Sequence, residues 1–183
     1  MNIAIVGATG NVGRKTLEVL EKKELSIGNL YLVASSKSVG KKISFKGKDH
    51  EIFDLESFDF TKVKIAFFAA GGKISEKFAQ KAAKHCLVID NSSFYRMDPD
   101  VPLIVPQVNS NHLNQIKKNI IANPNCSTAQ LVIALKPLHD LFVIKRIVVS
   151  TYQSVSGGGK ASMDELIEQT KLVLDGKEVK SKN

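Results

Sequence analysis

One cysteine in the sequence lies in a setting that suits nucleophilic chemistry. Cys126 follows Asn123-Pro124-Asn125 and opens a run with helical spacing, which predicts a helix over 126–138. The first turn of a helix has unpaired backbone N–H groups and a partial positive charge, and both favour a thiolate over a thiol. A thiolate can attack a carbonyl carbon, and neighbouring N–H groups can hold the resulting oxyanion. Cys126 is therefore a candidate nucleophile, and the structural alternative is a small residue that fills a turn.

The second cysteine, Cys86, leads directly into the apolar run 87–89, so we expect it to be buried and structural. Two cysteines cannot form a disulfide framework, and neither lies in a Cys-x-x-Cys or Cys/His cluster with zinc spacing. The sequence therefore predicts no metal site.

A glycine-rich segment over 7–13 (GATGNVG) lies between a predicted strand over 2–6 and a predicted helix over 11–23. Glycine lets the backbone turn sharply and approach a phosphate, and a helix N-terminus favours anions. The spacing is G-x-x-G-x-x-G rather than the usual dinucleotide fingerprint G-x-G-x-x-G. A tight turn without a ligand is the alternative, but the position at the start of an alternating chain favours a dinucleotide site.

The loop Ser35-Ser36-Lys37-Ser38 follows the second predicted strand, over 31–34. Enzymes that use NAD usually have a carboxylate here for the ribose 2′-hydroxyl, and this loop has none. Hydroxyls and a cation would instead suit a 2′-phosphate, so the sequence favours NADP over NAD. A polar surface turn is the alternative interpretation.

Two further segments carry side chains that could hold a substrate. Arg96 ends the segment 91–96 (NSSFYR) after a predicted strand over 87–90, and its guanidinium could bind a phosphate or carboxylate in bidentate fashion. Its alternative is an ion pair with Asp98 or Asp100. Gln153 precedes the flexible loop Ser156–Gly159, where glycines allow close backbone approach and a glutamine amide could orient a carbonyl.

The elements around these residues alternate between strand and helix. Strong apolar runs predict strands over 63–69 and 120–122, with a helix over 74–84 between the first of these and the strand over 87–90. Such alternation indicates a Rossmann-type, mostly parallel sheet with helices on both faces. A long strand over 144–152 and a helix over 163–174 then predict the start of a second α+β domain. We expect a cofactor domain over 1–125 and a second domain over 126–183.

Composition excludes several classes of protein. The chain has 183 residues, 43% of them hydrophobic and 24% charged, which is ordinary for a globular domain. It has no apolar run long enough to span a membrane and no signal-peptide pattern at its start, so we expect a cytoplasmic protein with no membrane partner. The net charge is +8, but the lysines are scattered, which does not favour nucleic-acid binding and does suit a small phosphorylated ligand.

Three stretches together resemble the aspartate-semialdehyde dehydrogenase family. They are 88–98 (VIDNSSFYRMD), 123–128 (NPNCST) and 150–157 (STYQSVSG), and the cysteine motif is the most specific of them. The resemblance runs from Gly7 to about Leu166, almost the whole chain.

The resemblance implies reduction of L-aspartyl-4-phosphate by NADPH with release of phosphate, in the synthesis of lysine through diaminopimelate, of threonine and of methionine. It implies that Cys126 is the nucleophile that forms a thioester, that Gln153 orients the acyl group, and that Arg96 and Asn125 bind the substrate. It also implies a homodimer for the full-length form. The cofactor contacts it implies are Gly7, Thr9, Gly10, Asn11, Val12, Ser35, Ser36, Lys37, Ser38, Ala70, Gly71, Ser156 and Gly157.

Two features depart from the family pattern. Lys37 stands where bacterial members often have arginine, which keeps the charge and loses the planar fork. Members of the family are also much longer than 183 residues, and their acid/base histidine and substrate-carboxylate arginine have no counterpart here. None of the four histidines (His50, His85, His112 and His139) matches that motif, so the chain looks like the N-terminal part of such an enzyme.

Two alternatives to this family remain. The related N-acetyl-glutamyl-phosphate reductases share the glycine loop and the cysteine, but glycine precedes their cysteine and Tyr-Pro-Thr follows it, so 123–128 argues against them. The chain could also be an NADP-binding fragment without turnover.

Overall fold

The computed structural model describes residues 1–180, and residues 181–183, the end of the predicted second domain, lie outside the described residues. The strands are β1 (Ile3–Val6), β2 (Leu30–Ala34), β3 (Lys42–Phe45), β4 (Lys48–Asp54), β5 (Ile65–Phe68), β6 (Leu87–Asp90) and β7 (Ile120–Ala122). The helices are α1 (Asn11–Glu21), α2 (Gly72–Ala83), α3 (Pro106–Asn109), α4 (Cys126–Phe142) and α5 (Lys160–Leu174). The chain divides into two compact units, Met1–Ile147 and the residues from Val148 onward.

All the strands belong to one sheet in the first unit, in the order β3-β4-β2-β1-β5-β6-β7. Every neighbouring pair is parallel except β3 and β4, which are antiparallel. The chain begins at the centre with β1, adds strands outward on one side, and then returns to add β5 on the other side. Open sheets of this kind bind ligands at the reversal point, here beyond the carboxyl ends of β1 and β5.

Both faces of the sheet are buried, because successive side chains of a strand point to opposite faces. In β1, Ile3 and Ile5 join one apolar cluster, whereas Ala4 and Val6 join the other. The helices that cover these two faces are α1, through Leu17 and Leu20, and α2, through Phe78, Ala79, Ala82 and Ala83. The predicted Rossmann-type sheet with helices on both faces is confirmed.

The second unit contains one 3-10 turn, Val155–Gly158, followed by α5. The strand predicted over 144–152 is wrong, because these residues have no regular secondary structure. Ile147, Val148 and Val149 are more than half exposed, and nothing among the described residues pairs with the segment. β-branched residues favour a strand only where a neighbouring strand supplies hydrogen bonds and a packing surface. The predicted domain boundary at 125/126 stays a prediction.

No helix within residues 1–180 is both long enough and apolar enough to cross a bilayer.

Candidate active site

The glycine loop after β1 forms a cradle that side chains would fill. Gly7 has a φ of +85°, which L side chains rarely adopt, and a Cβ there would lie 2.6 Å from the carbonyl oxygen of Ala69. A Cβ on Gly13 would overlap the carbonyl oxygen of Gly7. Glycine at 7 therefore lets the loops after β1 and β5 touch, and glycine at 13 lets α1 pack against its own loop.

The N-terminus of α1 opens at this cradle. Gly10 is its N-cap residue, no side chain caps it, and its first turn carries no acidic residue. Thr9 is half-buried, whereas Asn11 and Val12 are exposed. The first turn of a helix presents backbone N–H groups and partial positive charge, so this geometry fits a pyrophosphate.

The loop over 35–38 lies beside the glycine loop, because β2 pairs with β1 and Gly7 donates its N–H to the carbonyl of Val33 at 2.8 Å. Ser36–Ser38 form a short 3-10 helix with Ser35 at its N-cap, and Lys37 is exposed. No residue of the loop is acidic, so the loop offers no carboxylate to a ribose 2′-hydroxyl.

A carboxylate that sequence analysis did not consider lies one strand further out. Asp54 ends β4 in register with Ala34, the last residue of β2. One of its oxygens accepts the N–H of Glu56 at 3.3 Å, so part of its hydrogen-bonding capacity is used within its own turn.

Arg96 does not form the ion pair that was its structural alternative. Its Nε donates to the carbonyl oxygen of Asn123 at 2.8 Å, and an Nη group donates to that of Asn91 at 3.3 Å. Asp98 and Asp100 pair instead with Lys118 and Lys117. The half-buried guanidinium therefore joins the loop after β6 to the loop after β7.

Cys126 is the first residue of α4 and is exposed. Asn125 is the N-cap residue, and its Oδ1 accepts the N–H of Ser127 at 2.9 Å, which satisfies one donor of the first turn. The Cys126 Sγ lies 3.9 Å from the same Oδ1. The thiol thus stands at a helix N-terminus that follows the carboxyl end of β7.

Cys86 is buried, whereas Cys126 is exposed. Only 6% of it is exposed, and its Sγ donates to the carbonyl oxygen of Ala82 at 3.4 Å. Burial raises the pKa of the Cys86 thiol to about 11, so it stays protonated at neutral pH.

Gln153, Ser156 and Gly157 belong to the second unit. A Cβ on Gly157 would overlap the amide nitrogen of Gln153, so only glycine allows that side chain to pack against the 3-10 turn. The N–H of Ser156 donates to the hydroxyl of Ser154 at 3.4 Å. The Gln153 amide therefore lies against the turn, within its own unit.

The parallel sheet brings most of the predicted site residues to one edge. The loops that carry these residues follow the carboxyl ends of neighbouring strands. Four strand spacings of about 4.8 Å separate β2 from β7, which places these two strands about 19 Å apart. In spatial order from β2 to β7 the segments are Ser35–Ser38, the glycine loop 7–13, Ala70 and Gly71, 91–96, and 125–126.

A further residue at this edge was not among the predicted site residues. Asp90, the last residue of β6, is fully buried and accepts hydrogen bonds from Ser75 and Ser92. The sequence does contain a signal for Asp90, because it ends an otherwise apolar strand and charged residues are rarely buried without partners.

The topology and the glycine cradle define a Rossmann-class dinucleotide-binding domain with a cysteine at the carboxyl edge of its sheet. A family model described as the NAD-binding domain of semialdehyde dehydrogenase matches residues 2–116. A second, described as the dimerisation domain of semialdehyde dehydrogenase, matches residues 135–183. The chain therefore belongs to the semialdehyde dehydrogenase family, and it contains an NAD(P)-binding domain and the start of a dimerisation domain.

Curated relatives carry a more specific name. The chain is 53% identical over 172 residues to an aspartate-semialdehyde dehydrogenase of Rickettsia bellii, covering 93% of this chain and 51% of the relative. It is 48% identical over 183 residues to that of Shewanella violacea, covering 99% of this chain and 54% of the relative. The chain thus spans about half the length of the curated relatives it matches.

Solved structures agree with this likeness. Aspartate semialdehyde dehydrogenase II of Vibrio cholerae, complexed with ASA, superposes with a TM-score of 0.94 at 49% identity, over 98% of this chain and 54% of that one. The enzyme of Candida albicans with NADP superposes with a TM-score of 0.66 at 29% identity, over 78% of this chain and 48% of that one.

Proposed function

We propose that this chain carries the cofactor site and the nucleophile of an aspartate-semialdehyde dehydrogenase, which reduces L-aspartyl-4-phosphate to L-aspartate-4-semialdehyde with NADPH. The observation that supports this most strongly is the alignment of the glycine cradle, Arg96 and Cys126 along one edge of the sheet, in a chain about half identical to enzymes of that name.

The proposed reaction proceeds through a thioester on Cys126. The thiolate attacks the acyl carbon, a carbon–sulfur bond forms, the carbon–oxygen bond to phosphate breaks, and inorganic phosphate leaves. Backbone N–H groups in the first turn of α4 are placed to stabilise the oxyanion during this step. When bound, NADPH would supply the hydride that reduces the thioester; the carbon–sulfur bond would then break, so that the aldehyde leaves and the Cys126 thiolate is restored.

NADP rather than NAD is the proposed cofactor. The first turn of α1 and the glycine cradle would hold the pyrophosphate, and Lys37 with the surrounding serines would hold the 2′-phosphate. Ala70 and Gly71 follow β5 at the reversal point, where the nicotinamide half of the dinucleotide would pass. Ser156 and Gly157 are the remaining proposed cofactor contacts.

Arg96 is the proposed anchor for the substrate phosphate. A guanidinium has five N–H donors, and the two bonds to Asn91 and Asn123 leave others for an anion. Asn125, next to the nucleophile, would hold the substrate, and Gln153 would orient the acyl group.

The biological setting follows from the reaction proposed. The aldehyde product is a precursor of lysine, through diaminopimelate, and of threonine and methionine. A homodimer is the proposed assembly of the whole enzyme. The exposed apolar residues near the end of α4, Leu138, Leu141 and Phe142, support an interface there, because single domains rarely expose such a row to water.

Turnover by this chain is proposed to be slow. A positioned acid or base contributes about 10²–10⁴-fold in rate. His50 lies in β4, His85 follows α2, His112 lies in the 3-10 helix Ser110–Gln115 and His139 lies in α4, so none belongs to the carboxyl-edge loops that carry the proposed site.

The reverse reaction tests the proposal. The chain would be incubated with aspartate semialdehyde, inorganic phosphate and NADP, and the absorbance of reduced nicotinamide would be followed. We expect a signal that is lost in Cys126→Ser and kept in the matched control Cys86→Ser. A signal that survives Cys126→Ser would overturn the proposal.

A further inference from the structure

Asp90 is a buried charge without an ionic partner among the described residues. Its exposed fraction is 0%, and it ends β6 directly before the loop that leads to Arg96. Burying a carboxylate costs free energy unless hydrogen bonds replace its hydration. The hydrogen bonds of Asp90 therefore show which elements of the fold it connects.

Three donors converge on the Asp90 carboxylate. Oδ1 accepts the hydroxyl of Ser75 at 2.6 Å and the N–H of Ser92 at 3.1 Å, and Oδ2 accepts the hydroxyl of Ser92 at 2.7 Å. Ser75 belongs to the N-terminal part of α2, where the helix dipole favours a negative charge. The carboxylate is therefore held from α2 on one side and holds the loop after β6 on the other.

The bonds from Ser92 extend into the arginine loop. The Ser92 hydroxyl, which donates to Asp90, also accepts the N–H of Phe94 at 3.1 Å. Ser92 and Phe94 thereby close the turn that leads to Arg96. The position of Arg96 depends on this turn, because the guanidinium must reach the carbonyl oxygens of Asn91 and Asn123.

The main chain of Asp90 reaches the nucleophile loop as well. Its carbonyl oxygen accepts the N–H of Asn123 at 2.9 Å, three residues before Cys126. One residue thus contacts α2, the loop with Arg96 and the loop with Cys126. These are the elements after β5, β6 and β7, which lie side by side in the sheet.

We propose that Asp90 is a positioning residue, which sets the place of Arg96 through Ser92 and so controls how well the site binds a phosphate group. The inference rests on the proposed function, because it takes Arg96 as the phosphate anchor. Asp90 itself is buried below the loop and touches no substrate.

Two serines provide a matched pair of variants. Ser75→Ala and Ser92→Ala each remove one buried hydroxyl bonded to Asp90, but only Ser92 lies in the arginine loop. The probe is inorganic phosphate, measured by its protection of Cys126 from iodoacetamide. The NADP dissociation constant and the thermal unfolding midpoint are measured in parallel.

We expect Ser92→Ala and Asp90→Asn to weaken phosphate protection by about threefold or more. Ser75→Ala is expected to lower the thermal midpoint while leaving phosphate protection intact, and NADP affinity is expected to stay constant in all three. In the combined Asp90→Asn/Ser92→Ala variant, the loss of phosphate protection should be smaller than the product of the two single losses. Both substitutions affect the same hydrogen bond, between the Ser92 hydroxyl and the Asp90 carboxylate.

Three outcomes would overturn the inference, and the third differs in meaning from the first two. Equal phosphate protection in Ser92→Ala and in the parent chain, or equal losses in Ser92→Ala and Ser75→Ala, would remove the positioning role alone. An absence of phosphate protection in the parent chain would overturn the anchor role of Arg96, and the inference with it.

Discussion

The Nε of Arg96 donates to the carbonyl oxygen of Asn123 at 2.8 Å, three residues before Cys126. The candidate anion anchor is therefore also a structural link between the loops after β6 and β7. We therefore expect replacement of Arg96 to affect stability as well as binding.

Arg96→Gln is expected to weaken the fold as well as phosphate binding. It removes the donors to Asn123 and Asn91, and hydrogen bonds to charged groups contribute about 1.5–3 kcal/mol. Denaturant unfolding should show a loss of that order. Arg14→Gln is the control, because Arg14 makes one exposed bond, to Thr9 at 3.3 Å, and should cost less. Equal stability of Arg96→Gln and the parent chain would show that Arg96 is not a structural link between the two loops.

Cofactor preference is expected to depend on Lys37. The account predicts tighter binding of NADP than of NAD, measured by calorimetry. Lys37→Glu would place a negative charge against the 2′-phosphate and should weaken NADP by about tenfold or more, with little effect on NAD. Lys64→Glu is the matched control, since Lys64 is exposed just before β5, at the opposite edge of the sheet. NAD affinity equal to or above that of NADP would refute this prediction.

The two cysteines are expected to react at very different rates. With limiting iodoacetamide at neutral pH, Cys126 should be alkylated at least about tenfold faster than Cys86, because burial shields the Cys86 thiol and keeps it protonated. Peptide mapping by mass spectrometry gives the ratio. Denatured protein is the control, in which the difference should largely disappear. Preferential labelling of Cys86 in the folded chain would reverse the assignment.

The ion pair between Asp98 and Lys118 should make stability depend on pH. The hydrogen bond from Lys118, at 2.9 Å, lowers the pKa of Asp98, and the N–H of Asp100 adds to this effect. A carboxyl whose folded-state pKa lies below its unfolded value stabilises the fold above about pH 4, and this contribution is lost as pH falls through the folded-state pKa.

Asp98→Asn tests this dependence. The variant should be less stable than the parent chain at pH 7, and the difference should shrink steadily below about pH 4. Asp49→Asn, an exposed carboxylate in β4, is the control and should follow the parent chain at every pH. A constant difference between Asp98→Asn and the parent chain across the whole range would show that charge is not the cause.

Much of the site could be predicted from the sequence because it depends on backbone placement. Alternating strands and helices indicate a parallel sheet, and a parallel sheet collects its loops at one edge. Cys126 at the start of a helix and the strand over 87–90 needed only local patterns. The conformation of Gly7 was likewise predictable, since only glycine suits that turn.

Other features could not be predicted because they depend on long-range partners. The acceptors of Arg96 are main-chain carbonyls, which leave no trace in residue types, so the nearby carboxylates Asp98 and Asp100 were the natural alternative. The segment 144–152 has strand-forming residues, but it lacks a pairing strand among the described residues. The role of Asp90 became visible only when Ser75 and Ser92, 15 and 2 residues away in sequence, were seen to converge on it.

The central claim is that Cys126 forms the thioester. The most direct test is to treat the chain with L-aspartyl-4-phosphate without NADPH and to locate the adduct by peptide mass spectrometry. The account predicts one aspartyl group on the peptide that contains Cys126, released by hydroxylamine, absent from Cys126→Ser and present in Cys86→Ser. An adduct on any other residue, or one that persists in Cys126→Ser, would contradict it.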